Sequence, residues 1–302
     1  MRKLPVLVSV LSTATLLVVG CSSADPGQVG GPRGEEGVAT SSEAVQKAPE
    51  DAMHVPYQRG HEGEAKPHGG GGGTNLIDHG GPVLSASHVY TIWWGNQASF
   101  PADAKAGIEA LFGGLNGSPL LSVTNQYMRG ATATTLFATS YDDSSSSPPS
   151  RSPATSTIAA EACSVINTNH LTPDPDAIYV VYTSNMPGHT SYCAWHSYGT
   201  CNGATIQVAY MPNTTGMAGC DPGNLYNCNS YSEGTRSLAN VTSHEFMEAI
   251  TDPTISAWYD SSGAENGDKC AWQFASCVNL GAGNSWQLQK EWSNAASGCV
   301  QE

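Results

Sequence analysis

Val241-Thr242-Ser243-His244-Glu245-Phe246-Met247-Glu248-Ala249-Ile250-Thr251-Asp252-Pro253 is the stretch around which the rest of the chain is read. Spacing of four residues sets His244 and Glu248 one turn apart on the same helix face, where an imidazole nitrogen and a carboxylate oxygen reach one metal ion. Glu245 sits beside such an ion without having to bind it. In the better-known His-Glu-x-x-His pattern two histidines hold zinc, and the glutamate between them takes a proton from water at the metal. Here the second ligand is a carboxylate. The competing reading of these residues is a solvated helix face carrying two glutamates and a histidine, so the flanking sequence has to decide. Pro253 disfavours helical geometry at Asp252, which predicts a helix over residues 236–251 with Thr235 as its cap.

Two protein ligands do not make a metal site, and catalysis also needs an open position for water. Beyond the helix, Asp260-Ser261-Ser262-Gly263 is a turn signal that sends Glu265 and Asp268 back toward it. Glu265 is the favoured third ligand, with Asp268 either a fourth ligand or a partner that orients His244. Cys270, if bridged, would hold that return in place. Asp252 lies about 80° round the helix from His244 and about 12 Å further along, so capping the turn before Pro253 suits it better than ligation. Asp260 is read as a turn residue.

Upstream, residues 88–94 (His-Val-Tyr-Thr-Ile-Trp-Trp) read as a strand, residues 101–115 as a helix with apolar Ala104, Ile108, Leu111 and Phe112, and residues 120–128 as a second helix. Residues 134–139 read as a strand, 142–153 as an exposed Ser/Pro loop and 155–167 as a helix. Residues 177–183 (Ala-Ile-Tyr-Val-Val-Tyr-Thr) are the most convincing central strand, residues 204–211 form another, and a cysteine-rich loop over 212–234 leads to the motif helix. A mixed sheet whose last strand precedes a metal-binding helix is similar to the zincin metalloproteases. The expected fold class is therefore α/β, or α+β: a zincin-like mixed sheet with a metal-binding active-site helix and a disulfide-stapled C-terminal part.

The other end of the chain points to export. Arg2 and Lys3 precede an apolar run over residues 4–19 that reads as a secretory signal over residues 1–20. The run ends Val18-Val19-Gly20-Cys21, which resembles the lipobox of bacterial lipoproteins and makes Cys21 the expected lipidation site. Ser22 and Ser23 after it favour the outer membrane or cell surface. Residues 21–75 are rich in Gly, Pro, Glu and Ser and are expected to form a flexible tether, with His54, His61 and His68 as polar filler. A single domain over residues 76–302 follows. Setting Cys21 aside leaves Cys163, Cys193, Cys201, Cys220, Cys228, Cys270, Cys277 and Cys299, an even set that fits disulfides formed in an oxidising compartment. The near neighbours Cys193/Cys201, Cys220/Cys228 and Cys270/Cys277 could each close a short loop. A formal charge of −14 with only 12 Lys plus Arg excludes nucleic acid as a partner and confines membrane contact to the N-terminal lipid.

Four segments together resemble the EXORDIUM, or phosphate-induced protein, family of secreted plant proteins and their microbial relatives. They are Asp78-His79-Gly80-Gly81-Pro82-Val83-Leu84, Tyr90 to Gly95, Tyr192-Cys193-Ala194-Trp195-His196, and His244-Glu245 through Trp258-Tyr259. The resemblance spans residues 76–302, with Glu265, Asp268 and Cys270 in register, and implies an extracellular protein linked to the cell wall. His196 lies in the family's Cys-x-x-His segment, either donating a hydrogen bond to a transition-state oxyanion or serving as a structural histidine. His79 is expected to hydrogen-bond the start of the domain. Most of the tryptophans should be core, with one or two left for stacking on sugars.

Together these readings predict a lipid-anchored, metal-dependent hydrolase, a zinc endopeptidase acting on peptide or protein substrates. His244, Glu248 and Glu265 hold the ion and Glu245 activates water. So anionic a ligand set also admits manganese or calcium. The rival expectation is a wall-associated binding module with a structural metal and a surface for cell-wall glycan.

Overall fold

The computed structural model describes residues 74–302, apart from residues 189, 218, 222, 224, 226 and 282–283. The predicted signal, the lipidation site Cys21, the three tether histidines and nearly all of the tether fall outside the described residues. In chain order the strands are β1 (Ile77–Asp78), β2 (Ala86–Trp94), β3 (Thr134–Asp143), β4 (Ala177–Thr183), β5 (Trp195–Cys201), β6 (Ala204–Pro212), β7 (Trp258–Tyr259), β8 (Val278–Asn279), β9 (Ser285–Trp286), β10 (Glu291–Ser293) and β11 (Gly298–Val300). The helices are α1 (Ala104–Leu115), α2 (Pro119–Ser122), α3 (Thr155–Thr168) and α4 (Glu233–Thr251).

Five strands form one mixed sheet in the order β3-β2-β4-β6-β5. The first four are parallel, and β5 runs antiparallel to β6 along one edge. Every residue of β4 is buried, as expected of a strand covered on both faces. Strand alternation sorts its side chains: Ile178, Val180 and Tyr182 enter the cluster shared with α1 and α4, while Ala177, Tyr179 and Val181 enter the one shared with α3. The helices therefore cover opposite faces, α1 and α4 on one and α3 on the other. This is a mixed α/β structure with a five-stranded mixed sheet and four disulfides.

Three sequence expectations change. The predicted helix over residues 120–128 is two short pieces, α2 and a 3₁₀ turn at Val123–Tyr127, where the Thr124 hydroxyl bonds back to the Leu121 carbonyl. Strand β3 runs to Asp143, into the segment expected to be loop. Strand β5 was missed, although Asn202-Gly203, both at positive φ, is the two-residue hairpin signal that joins it to β6.

The disulfides join Cys163 to Cys201, Cys193 to Cys220, Cys228 to Cys277 and Cys270 to Cys299, so none of the three close pairs is bridged. The strand explains one case directly. Cys193 precedes β5 and Cys201 ends it, and extended chain at about 3.3 Å per residue carries the two far out of bonding range. Cysteines of this kind fit an oxidising, exported setting. Among the described residues no helix is long and apolar enough to cross a membrane.

All seven tryptophans are buried or half-buried, and among the described residues the exposed large apolar side chains are Ile77 and Leu136. The expected sugar-stacking surface therefore has no exposed tryptophan to build on. His79 stacks on Tyr259 with ring centroids 3.7 Å apart and lies within 3.3 Å of the Tyr259 carbonyl, at the β1–β7 pairing where the domain begins.

Candidate metal centre

The motif helix starts earlier than its sequence suggests. Ser232, not Thr235, is the N-cap, accepting the Thr235 N–H. Asp103, just ahead of α1, takes hydrogen bonds from the Ser232 N–H and hydroxyl and from the Thr235 hydroxyl, tying the starts of the two helices together. At the far end Asp252 is the C-cap, but its Oδ1 accepts from the Ser256 and Ala257 N–H groups, so the turn its side chain closes lies after Pro253 rather than before it. Between these ends α4 is buried almost all round. Leu238, Phe246, Met247 and Ile250 enter the apolar core, while Asn240, His244 and Glu248, at successive four-residue steps, form a polar stripe.

That stripe faces the C-terminal segment. Asn240 is held at both ends, donating to the Gln287 carbonyl and accepting from the Gln289 N–H. The His244 Nε2 lies 3.1 Å from Glu248 Oε1 and 3.7 Å from Asp268 Oδ1. Glu248 Oε1 also accepts the Asp268 N–H at 2.8 Å, which clamps the strap over residues 265–270 onto the helix. Gly267 makes this approach possible: a Cβ there would stand 2.9 Å from Glu248 Oε1 and from two atoms of the His244 ring. The Cys270–Cys299 disulfide fixes the end of the strap, as expected if Cys270 is bridged. Asp260 forms the predicted turn, accepting from the Ser262 and Ala264 N–H groups, and its second oxygen pairs with buried Lys269 at 2.8 Å.

His244, Glu248 and Asp268 thus present three ligand atoms within 4.8 Å of one another. Glu265 goes elsewhere. Its Oε2 lies 3.0 Å from Nε2 of His196, which is also 3.8 Å from Glu248 Oε2. The alternation of β5 accounts for His196: Trp195 and Cys201 pack toward α3, and Gly199 rests directly on Ala159 of that helix, so the intervening His196 points to the α4 side. His196, Glu245 and Glu248 form a second group whose ligand atoms are also within 4.8 Å. Glu245 is fully buried, and neither of its carboxylate oxygens has a hydrogen-bond partner.

Two further residues face the site that the sequence reading overlooked. Gln289 Oε1 accepts the Trp272 N–H, while its amide nitrogen donates to the Gly267 carbonyl and lies 2.8 Å from Nδ1 of His244. This network assigns the His244 ring proton to Nε2, facing Glu248. Glu291 is buried, with both oxygens unpartnered. The available signal was the alternation Gln287-Leu288-Gln289-Lys290-Glu291, which puts three polar side chains on one side of an extended segment.

Electrostatics mark the same residues. Burial, reinforced by neighbouring carboxylates and only partly opposed by His244, holds Glu245 well above the ordinary carboxylate range. Burial raises Glu248 and Glu291 as well, and lifts Asp252 to about 7 with help from the Glu265 carboxylate. Burial pulls the His244 imidazole down, but Glu248 and Asp268 outweigh it and leave it well above the usual histidine value. So many carboxylates cannot ionise together out of water without compensating positive charge. One imidazole, two carboxylates and an unpartnered glutamate beside them fit a divalent cation.

No family model, curated protein or solved structure matches the chain.

Proposed function

We propose that this is an exported metal-dependent hydrolase, a zinc endopeptidase held to a bacterial outer membrane or cell surface through lipid on Cys21. The observation that carries the reading is the meeting of His244, Glu248 and Asp268 beside Glu245, whose buried carboxylate has no partner. His244, Glu248 and Asp268 would hold the ion. Asp268 takes the place for which the sequence favoured Glu265, and Glu265 instead positions His196. When bound, the cation would supply a Lewis acid that polarises a peptide carbonyl and acidifies water. Glu245 takes the proton from the attacking water and passes it to the leaving amine. His196, kept in place by Glu265, donates a hydrogen bond to the oxygen that gains charge. A zincin-like fold is supported by a mixed sheet whose last strand, β6, precedes the metal-binding helix. An EXORDIUM-type relationship is in keeping with the strap, which brings Asp268 beside His244 and Glu248 and ties Cys270 into a disulfide.

The test is cleavage of a diverse peptide mixture by the zinc-loaded chain, read by mass spectrometry beside Glu245→Gln, after chelation and after zinc add-back. Turnover that disappears with Glu245→Gln and with chelation, and returns with zinc, is the expected result. One observation favours a second reading, a binding module with a structural ion: His196, His244, Glu245, Glu248 and Glu265 are all buried, and only the Asp268 side chain, 18% exposed, opens toward solvent. A metal-loaded chain that cleaves nothing, and whose metal affinity is indifferent to Glu245→Gln, would favour that module, with cell-wall glycan as the ligand to try first.

A further inference from the structure

The Glu248 carboxylate faces two ways. Its Oε1 lies on the side of His244 and Asp268, where it accepts the Asp268 N–H. Its Oε2 faces His196 and has no hydrogen-bond partner, although the residue is fully buried. Two groups of ligand atoms therefore share one carboxylate: His244, Glu248 and Asp268 on one side, and His196, Glu245 and Glu248 on the other. Glu265 Oε2, 3.0 Å from His196, adds a further carboxylate to the second group.

The charges on that second side do not balance. Two imidazoles, His196 and His244, face the carboxylates of Glu245, Glu248 and Glu265, all fully buried, and His244 is already engaged by Glu248 Oε1 and by Asp268. A protonated His196 supplies a single positive charge and a single Nε2–H, which Glu265 Oε2 already receives. That leaves Glu245 and Glu248 Oε2 buried without a donor, a costly arrangement in a low-dielectric interior. A second divalent cation would meet both deficits, and the two oxygens of Glu248, one facing each group of ligand atoms, would let its carboxylate serve both ions.

Resting on the reading that a first ion is held by His244, Glu248 and Asp268, we infer that the site is dinuclear. The second ion is held by His196 Nε2, one oxygen of Glu245 and Glu248 Oε2, with Glu265 alongside. Its entry would displace the proton that His196 shares with Glu265, so with both ions bound the second ion would take over from His196 the oxygen that gains charge. The other oxygen of Glu245 stays available to accept a proton. Imidazole and carboxylate donors suit zinc or manganese, and pairs of such ions clamp the attacking and leaving oxygens of a hydrolysed bond.

Native mass spectrometry of the full chain, stripped with chelator and dialysed against zinc, counts the ions. Two ions per chain are expected, with His196→Gln holding one and Glu248→Gln weakening both. A single ion at saturation would overturn the inference while leaving the proposed hydrolase intact, and no ion would overturn both. An ion retained in full by His196→Gln lies elsewhere in the chain and also sinks the second subsite. Should His196→Gln fail to fold by circular dichroism, Glu245→Gln serves in its place, being the same size. It is expected to weaken the second ion at least tenfold and spare the first, and equal loss of both would show one ion shared by the whole cluster.

Discussion

The sheet and the C-terminal segment solve opposite problems. Strands β2, β4 and β6 lie in register across a parallel ladder, with apolar side chains filling clusters on both faces. The strands described within residues 252–302 are two or three residues long, and the segment is held by the Cys228–Cys277 and Cys270–Cys299 bridges and by polar side chains bonding to backbone. Burial of apolar area stabilises the first region, at about 25 cal/mol per Å² removed from water. The second region presses carboxylates against α4 and needs crosslinks to keep them there. A scaffold and a charged site are thus separable in this chain, with α4 belonging to both: one face in the core, one on the site.

The sharpest way to break that division is to release the strap. Replacing Cys270 and Cys299 together by Ser should cost about 2–5 kcal/mol of stability and abolish high-affinity zinc binding, checked by denaturant melts and metal titration. Retained metal affinity would show that the Asp268–Glu248 clamp holds the strap unaided. A cavity in the sheet tests the converse. Ile178→Ala in β4 should lose about 2–5 kcal/mol yet leave zinc affinity unchanged in the folded population, whereas a parallel loss of affinity would show that sheet and site are not separable.

Gln289→Leu probes the site without touching the scaffold. Removing the amide that faces Nδ1 of His244 should weaken zinc binding roughly 10- to 100-fold, and loss of its bonds to the Trp272 N–H and the Gly267 carbonyl should cost about 1–3 kcal/mol in the metal-free chain. The smallest effect is expected where α3 meets the end of β3. Burial, with help from the Asp143 carboxylate, raises Glu161 to about 8. Folded chains therefore keep its proton where unfolded chains lose it, so its contribution is full below about pH 4.5 and is lost as pH rises through about 8. Glu161→Gln should match wild type near pH 4 and melt a few degrees higher by pH 9. A constant difference across pH would place the effect outside this carboxyl group.

Much of the scaffold was legible because its signals are local. Residues 177–183 announce a buried strand by an unbroken β-branched and aromatic run, and the apolar stripe of α1 follows helical period. The ends of elements were less legible: β3 outran its apolar residues, and α4 was capped by Ser232 because Asp103, far away in sequence, secures it. Cys193 and Cys201 are near in sequence but not in space, because β5 intervenes.

By itself the sequence determined the pair His244 and Glu248, since helical pitch alone brings residues four apart onto one face. It also placed Glu245 beside them, Asp260 in its turn and Asp252 as a cap, because each depends on a few neighbouring residues. Only the tertiary structure decided which acid from the strap meets His244 and which meets His196. Glu265 and Asp268 are three residues apart in a turn, and their directions are set by Gly267 against α4, by the Cys270–Cys299 bridge and by β5 on the far side. Gln289 and Glu291 came to the site by the same route: the alternation of residues 287–291 sets them on one side of the segment, but only the fold turns that side toward α4.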